Sequence, residues 1–153
     1  MNTLYAATAV IEAGAGLALL SLPSTAVDLL LGTPLETTAA LTVARIGGAA
    51  LFTLGTAFWL ARGDTQSPAS RGLVAAMVLY NLGAVFILSA AGIRSRSVGV
   101  ALWPAAVVLH AVMAIWCIMS LRYLSLGEGL GNPGSRRSKG ERLAADNRPM
   151  TGN

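Results

Sequence analysis

The sequence predicts an all-α integral membrane protein, a four-helix bundle with a short interfacial helix between helices 1 and 2. Three observations carry that expectation. Of 153 residues, 54% are hydrophobic and only 12% are charged, about half the charged fraction a soluble globule uses to cover its surface. The apolar residues fall into four runs, 4–22, 38–60, 72–91 and 98–120. Each is roughly 20 residues long, which at ~1.5 Å per residue matches the ~30 Å hydrocarbon layer. The runs are continuously apolar and do not alternate, which excludes the strands of an outer-membrane barrel.

The first run reads as a permanent span and not as a cleaved signal peptide. No Lys or Arg precedes it, Glu12 sits in its middle, and Leu22-Pro23-Ser24 follows it where an Ala-x-Ala site would stand. The segment 23–37 has internal order of its own. Ser24 is placed to cap a turn, Ala26, Val27, Leu29, Leu30 and Leu31 are apolar, and Gly32 followed by Pro34 ends it, so a short helix in the membrane interface is expected. The second loop, 62–71, is short and polar, and Ser67-Pro68 marks the start of the third helix. Its shortness makes the second and third spans antiparallel neighbours. Pro104, near the start of the fourth span, predicts a slight bend there.

Residues 1–124 thus form a four-span domain, and 125–153, rich in Gly, Asn, Pro, Ser and basic residues, are expected to be a disordered basic tail. Arg62, Arg71, Arg122, Arg136, Arg137, Lys139, Arg142 and Arg148 lie on the side of the termini, against Arg94 and Arg96 on the other. The positive-inside rule therefore puts both termini in the cytoplasm of a protein that crosses the inner (plasma) membrane several times. The net charge of +4 is explained by topology and anionic lipid, with no nucleic-acid partner implied. Trp59, Trp103 and Tyr123 near span ends fit an aromatic belt.

Small residues recur at four-residue spacing: Ala9 and Ala13; Gly14 and Ala18; Ala40, Ala44 and Gly48; Gly72 and Ala76. In lipid such stripes let helix backbones approach, within one bundle or across a homo-oligomer or membrane-complex interface.

Each span carries one strongly polar side chain: Glu12, Arg45, Asn81 and His110. Facing any of them to hydrocarbon costs several kcal/mol. At ~1.5 Å per residue Glu12, Asn81 and His110 lie about 12, 14 and 15 Å from the same ends of their helices, hence in one layer. Arg45 lies ~10 Å below the opposite end and reaches toward that layer or toward the headgroups. A carboxylate and a guanidinium satisfy each other better than hydrocarbon does, so Glu12 and Arg45 are expected to pair. Neighbours one turn away extend the candidate lining. Tyr5, Thr8 and Gly16 share a face with Glu12, Thr42 and Phe52 lie near Arg45, and Trp103, Val107, Ala114 and Cys117 follow His110. Tyr80 is expected to point about 100° away from Asn81. Met77, Met113 and Met119 read as packing residues.

The quartet has two readings. One is glue that fixes helix register; the other is a polar pocket that binds a ligand or handles protons. No cofactor has a motif behind it. A lone Cys117 excludes a cysteine pair, a single histidine leaves one axial haem position unfilled, and no phosphate loop or carboxylate-rich metal cluster occurs.

Ala44-Arg-Ile-Gly-Gly-Ala-Ala-Leu-Phe-Thr-Leu-Gly55, the Gly-Leu-Ala-Leu-Leu-Ser-Leu-Pro end of the first span, the Leu-Leu-Leu-Gly turn, Leu79-Tyr-Asn-Leu82 and Leu102-Trp-Pro-Ala-Ala-Val-Val-Leu-His110 resemble segments of small bacterial four-span proteins of the DoxX-like kind. The likeness covers roughly 4–121. It implies a four-helix membrane bundle with Arg45 as a structural or site residue, and an association with quinone-linked or thiol redox complexes that no cysteine pair here supports. The leading functional expectation is a membrane protein that binds a lipophilic small molecule, quinone- or isoprenoid-like, including as an accessory redox subunit. The alternatives are a proton-coupled carrier using Glu12 and a non-catalytic assembly subunit.

Overall fold

The computed structural model describes the backbone of residues 2–94 and 99–130, and the side chains of 2–94, 99–104 and 106–123. It is helical throughout, with no strand among the described residues. Helix α1 runs Asn2–Ser21, α2 Pro23–Leu31, α3 Thr38–Ala61 and α4 Pro68–Arg94; a π-helical turn, Leu102–Val108, leads into α5, Leu109–Leu130. Among the described residues four helices are long and apolar enough to cross a membrane, the last from Leu102 to Tyr123. The chain is a multi-pass helical membrane protein by that measure. Arg96, the expected start of the fourth span at residue 98, and the tail beyond 130 lie outside the described residues. Part of the expected tail is helical, because α5 continues to Leu130.

The connections follow their local chemistry. Pro23 occupies the first turn of α2, where a missing N–H is harmless. Gly32 ends the helix with φ 72°, its N–H bonded to the Asp28 carbonyl at 2.8 Å, a left-handed conformation that glycine adopts without Cβ strain. Ser24 does not cap α2. Its Oγ accepts from Leu35 N–H at 3.0 Å and donates to the Leu35 carbonyl at 3.2 Å, which ties the start of α2 to the chain returning from it. Thr37 caps α3, accepting from Ala40 N–H at 3.1 Å. Ser67 Oγ accepts from Ser70 N–H at 3.2 Å just before Pro68 starts α4.

The tightest packing joins α1 to α3. A Cβ on Gly16 would stand 2.5 Å from Phe52 N, one on Gly48 2.8 Å from the Gly16 carbonyl, and one on Gly55 2.6 Å from Ala13 N. In lipid, backbone approach of this kind supplies dispersion where no hydrophobic driving force acts between helices. Of the expected small-residue stripes, Ala9, Ala13 and Gly48 take part. Gly14 and Gly72 meet nothing within 4 Å.

Pro104 does more than bend its span. With no N–H at 104, the backbone widens to π geometry, and Ala106 N–H bonds the Ala101 carbonyl five residues back at 3.1 Å. Next to it, Ala101 N–H donates to the Leu29 carbonyl at 3.0 Å, docking the start of the fourth span on α2. Gly99 makes that approach possible, since a Cβ there would collide with the Leu29 and Asp28 carbonyls.

A packed apolar cluster lies toward the end of the α3–α4 turn. Leu4, Tyr5, Ala9, Phe58, Val74, Met77, Met113 and Cys117 form it. Tyr5 stacks obliquely on Phe58 with ring centroids 5.4 Å apart, and its hydroxyl donates to the Ser70 carbonyl at 2.9 Å. Met77 and Met113 are core residues, whereas Met119 is exposed. Trp59, Trp103 and Tyr123 are all exposed, as belt residues must be.

Candidate functional site

At the other end, beneath α2, the helices leave a cavity of about 600 Å³. Its walls are apolar: Ile11, Ala15, Ala18 and Leu19 from α1, Leu51 from α3, Ala84, Ile87 and Leu88 from α4, Ala101, Ala106 and Leu109 from the fourth span. Ala26, Leu29 and Leu30 of α2 roof it. Ala15 and Ala18 are exposed, as is Ile87, so the cleft opens sideways between α1 and α4. The polar groups among its lining residues are Glu12, Tyr80 and His110, which form a floor between the cavity and the packed core.

That floor is a connected set. Tyr80 on α4 faces the buried Glu12 carboxylate on α1, near enough for the two to interact. Tyr80 also forms a T-shaped pair with the His110 imidazole, ring centroids 5.6 Å apart at 82°. His110 Nδ1 lies 2.7 Å from Asn81 Oδ1, and Asn81, fully buried, donates from Nδ2 to the Met77 carbonyl at 2.8 Å. The Met77 carbonyl can only accept, which forces the amide NH2 toward it and Oδ1 toward the histidine. An amide oxygen also only accepts, so His110 carries its proton on Nδ1. Nε2 then keeps a lone pair on a side chain that lines the cavity, and it makes no hydrogen bond within the described residues. Thr8, fully buried one turn before Glu12, likewise leaves Oγ1 without a partner among them.

Of the four spans' polar residues, the structure therefore brings Glu12, Asn81 and His110 into one layer and leaves Arg45 out. Arg45 is exposed on α3 and forms no ion pair with Glu12 among the described residues; the expected Glu12–Arg45 pair is replaced by Glu12–Tyr80. The physical reason is that α3 turns its glycine face, Gly48 and Gly55, to α1, and Arg45 is not on that face. A guanidinium ~10 Å from a helix end can carry its charge to the headgroups along its own stem.

The surrounding residues divide similarly. Tyr5 and Thr8 are buried on the Glu12 face, and Cys117 and Ala114 are buried on α5, but Tyr5 and Cys117 belong to the packed core. Gly16 serves the α1–α3 contact. Thr42 is exposed and bonds back to the Thr38 carbonyl at 2.8 Å. Phe52 lines a separate shallow apolar groove of about 210 Å³ between α1 and α3, with Trp59. Trp103 is exposed outside the cavity lining and packs near Gly92.

Tyr80 is the site residue that sequence reasoning missed. Ser70, Val74, Met77 and Asn81 form the buried stripe of α4, and Tyr80 stands on its flank with Ala84 and Leu88. A helix face more than 100° wide admits both neighbours. The available signal was chemical: a tyrosine hydroxyl inside an apolar span needs a partner, and Glu12 is the one carboxylate within the four runs.

No group of three or more His, Cys, Asp or Glu side chains that could hold a metal ion occurs among the described residues. No family model, curated protein or solved structure matches the chain. The DoxX-like resemblance accordingly gains no support from them.

Proposed function

We propose that this protein binds a lipophilic small molecule, quinone- or isoprenoid-like, taken from the bilayer into the cavity beneath α2. The observation that carries the reading is the combination of an apolar cavity of about 600 Å³ with a polar floor at mid-span. That volume lies within the ~300–1,000 Å³ of small-molecule sites, and apolar walls with a few convergent polar groups are their usual chemistry. A lateral opening between α1 and α4 suits a ligand that partitions into lipid. Glue alone accounts less well for the floor, because Tyr80 and His110 line open space and are not sealed in the packing. The charge distribution of the loops and tail supports a plasma (inner) membrane protein with both termini cytoplasmic, an orientation in which the cavity would lie in the outer half of the bilayer.

The test is native mass spectrometry, with lipid extraction, of the full chain purified in mild detergent. An apolar molecule should co-purify with the wild type and be lost in Glu12→Gln and His110→Ala. Wild-type protein that carries nothing and binds no isoprenoid or quinone probe refutes the reading.

One observation favours a second reading, a proton-coupled carrier. Without Arg45 beside it, Glu12 has no cationic partner among the described residues to hold it ionised and is available to exchange a proton. Such a carrier must also open the packed end at Tyr5 and Phe58 to the other side. Proton uptake coupled to substrate in liposomes, abolished by Glu12→Gln, distinguishes it.

A further inference from the structure

We infer that the cavity selects ligands by a hydroxyl group: the occupant is an apolar alcohol or quinol whose O–H donates to His110 Nε2, in preference to a ketone, quinone or ether of the same shape. This rests on the pocket reading above and goes beyond it by assigning the polarity of the ligand's head.

The Met77 carbonyl orients the Asn81 amide at 2.8 Å, and Asn81 Oδ1 then holds the proton of His110 on Nδ1 at 2.7 Å. The imidazole thus offers the cavity an acceptor. To turn it into a donor toward a carbonyl ligand, the ring would have to give up its Asn81 hydrogen bond or take a second proton, and Asn81 is fully buried with its amide already committed. Tyr80 does not supply a compensating donor, since its hydroxyl faces the Glu12 carboxylate, a stronger acceptor than a ligand carbonyl. A ligand hydroxyl satisfies Nε2 at no cost to the floor. A carbonyl or ether oxygen in its place sets lone pair against lone pair in a site of low dielectric, where an unmatched polar contact is most costly. With the head at Nε2, the apolar body runs along Ala84 and Leu88 toward α2 or leaves past Ile87.

The chain contains a single histidine, so protein labelled with 15N in histidine reports on His110 alone. In detergent the ring should show a pyrrole-type Nδ1 and a pyridine-type Nε2. Farnesol should move the Nε2 resonance in the direction of an accepted hydrogen bond, and farnesyl methyl ether should leave it in place. By calorimetry farnesol should bind about tenfold tighter than the ether, the worth of one net hydrogen bond. In Asn81→Leu, which frees the tautomer, that preference should fall to about twofold or less while both probes still bind. Asn81→Gln, which keeps an amide with both its acceptor oxygen and its donor, should retain the preference and controls for disruption of the fold. Equal affinity for the two probes in the wild type, or an Nε2 that carries the proton, overturns the hydroxyl selection and leaves the pocket standing. Binding of neither probe overturns both.

Discussion

The Tyr80 hydroxyl on α4 faces the Glu12 carboxylate on α1, and this pairing closes the floor on which the cavity stands. It joins two helices whose backbones pack less closely than α1 and α3 do. An interhelical polar contact at mid-span acts there as a specific tie, worth on the order of 1 kcal/mol.

Tyr80→Phe should therefore lower stability in detergent by about 1–2 kcal/mol, because Glu12 is left buried without its donor. In Tyr80→Phe/Glu12→Leu the loss should be smaller than the sum of the single losses, since the carboxylate that needed the donor is gone. Arg45→Ala should change stability by less than about 0.5 kcal/mol and show no coupling to Glu12. Denaturant titration followed by circular dichroism measures these variants, with Glu12→Leu and Arg45→Ala/Glu12→Leu completing the two cycles. A Glu12–Arg45 coupling above about 1 kcal/mol contradicts the structure.

The glycines differ sharply in what substitution should do. A Cβ at Gly55 would meet Ala13 N at 2.6 Å and the Ala9 carbonyl at 2.8 Å, both backbone atoms that cannot swing aside. Gly55→Ala should separate α1 from α3 and destabilise by about 1–3 kcal/mol. Gly14→Ala, which meets nothing within 4 Å, should be neutral or slightly stabilising by virtue of helix propensity. Thermal unfolding of the two variants side by side decides it.

Ala84 offers a way to fill the cavity without touching its polar floor. Ala84→Phe should reduce binding of an isoprenoid probe at least about tenfold while leaving the melting temperature within a few degrees of wild type, since the side chain enters space already open. Undiminished binding would place the ligand elsewhere, with the groove of Phe52 and Trp59 the next site to test.

Orientation is checked with reporters. Alkaline phosphatase fused after residue 123 should be inactive and a fluorescent protein at the same point bright, while phosphatase inserted in the turn after Gly32 should be active. The opposite pattern would put the cavity in the inner half of the bilayer.

Much of this architecture was legible from composition. Four apolar runs of bilayer length can hide their backbone polar groups only by becoming helices, so α1, α3, α4 and the last span were determined locally. Gly32 and Pro68 marked an end and a start for reasons that need no neighbours. The common depth of Glu12, Asn81 and His110 followed from helical rise alone. What tertiary structure decided was azimuth. Which way Arg45 points depends on which face of α3 offers the closest backbone approach, and Gly48 and Gly55 won that face. Tyr80 could not be separated from a lipid-facing residue until α1 stood beside it, and the imidazole tautomer needed the Met77 carbonyl, which no sequence pattern displays. Depth is a property of one helix; the partner of a buried polar group is a property of two.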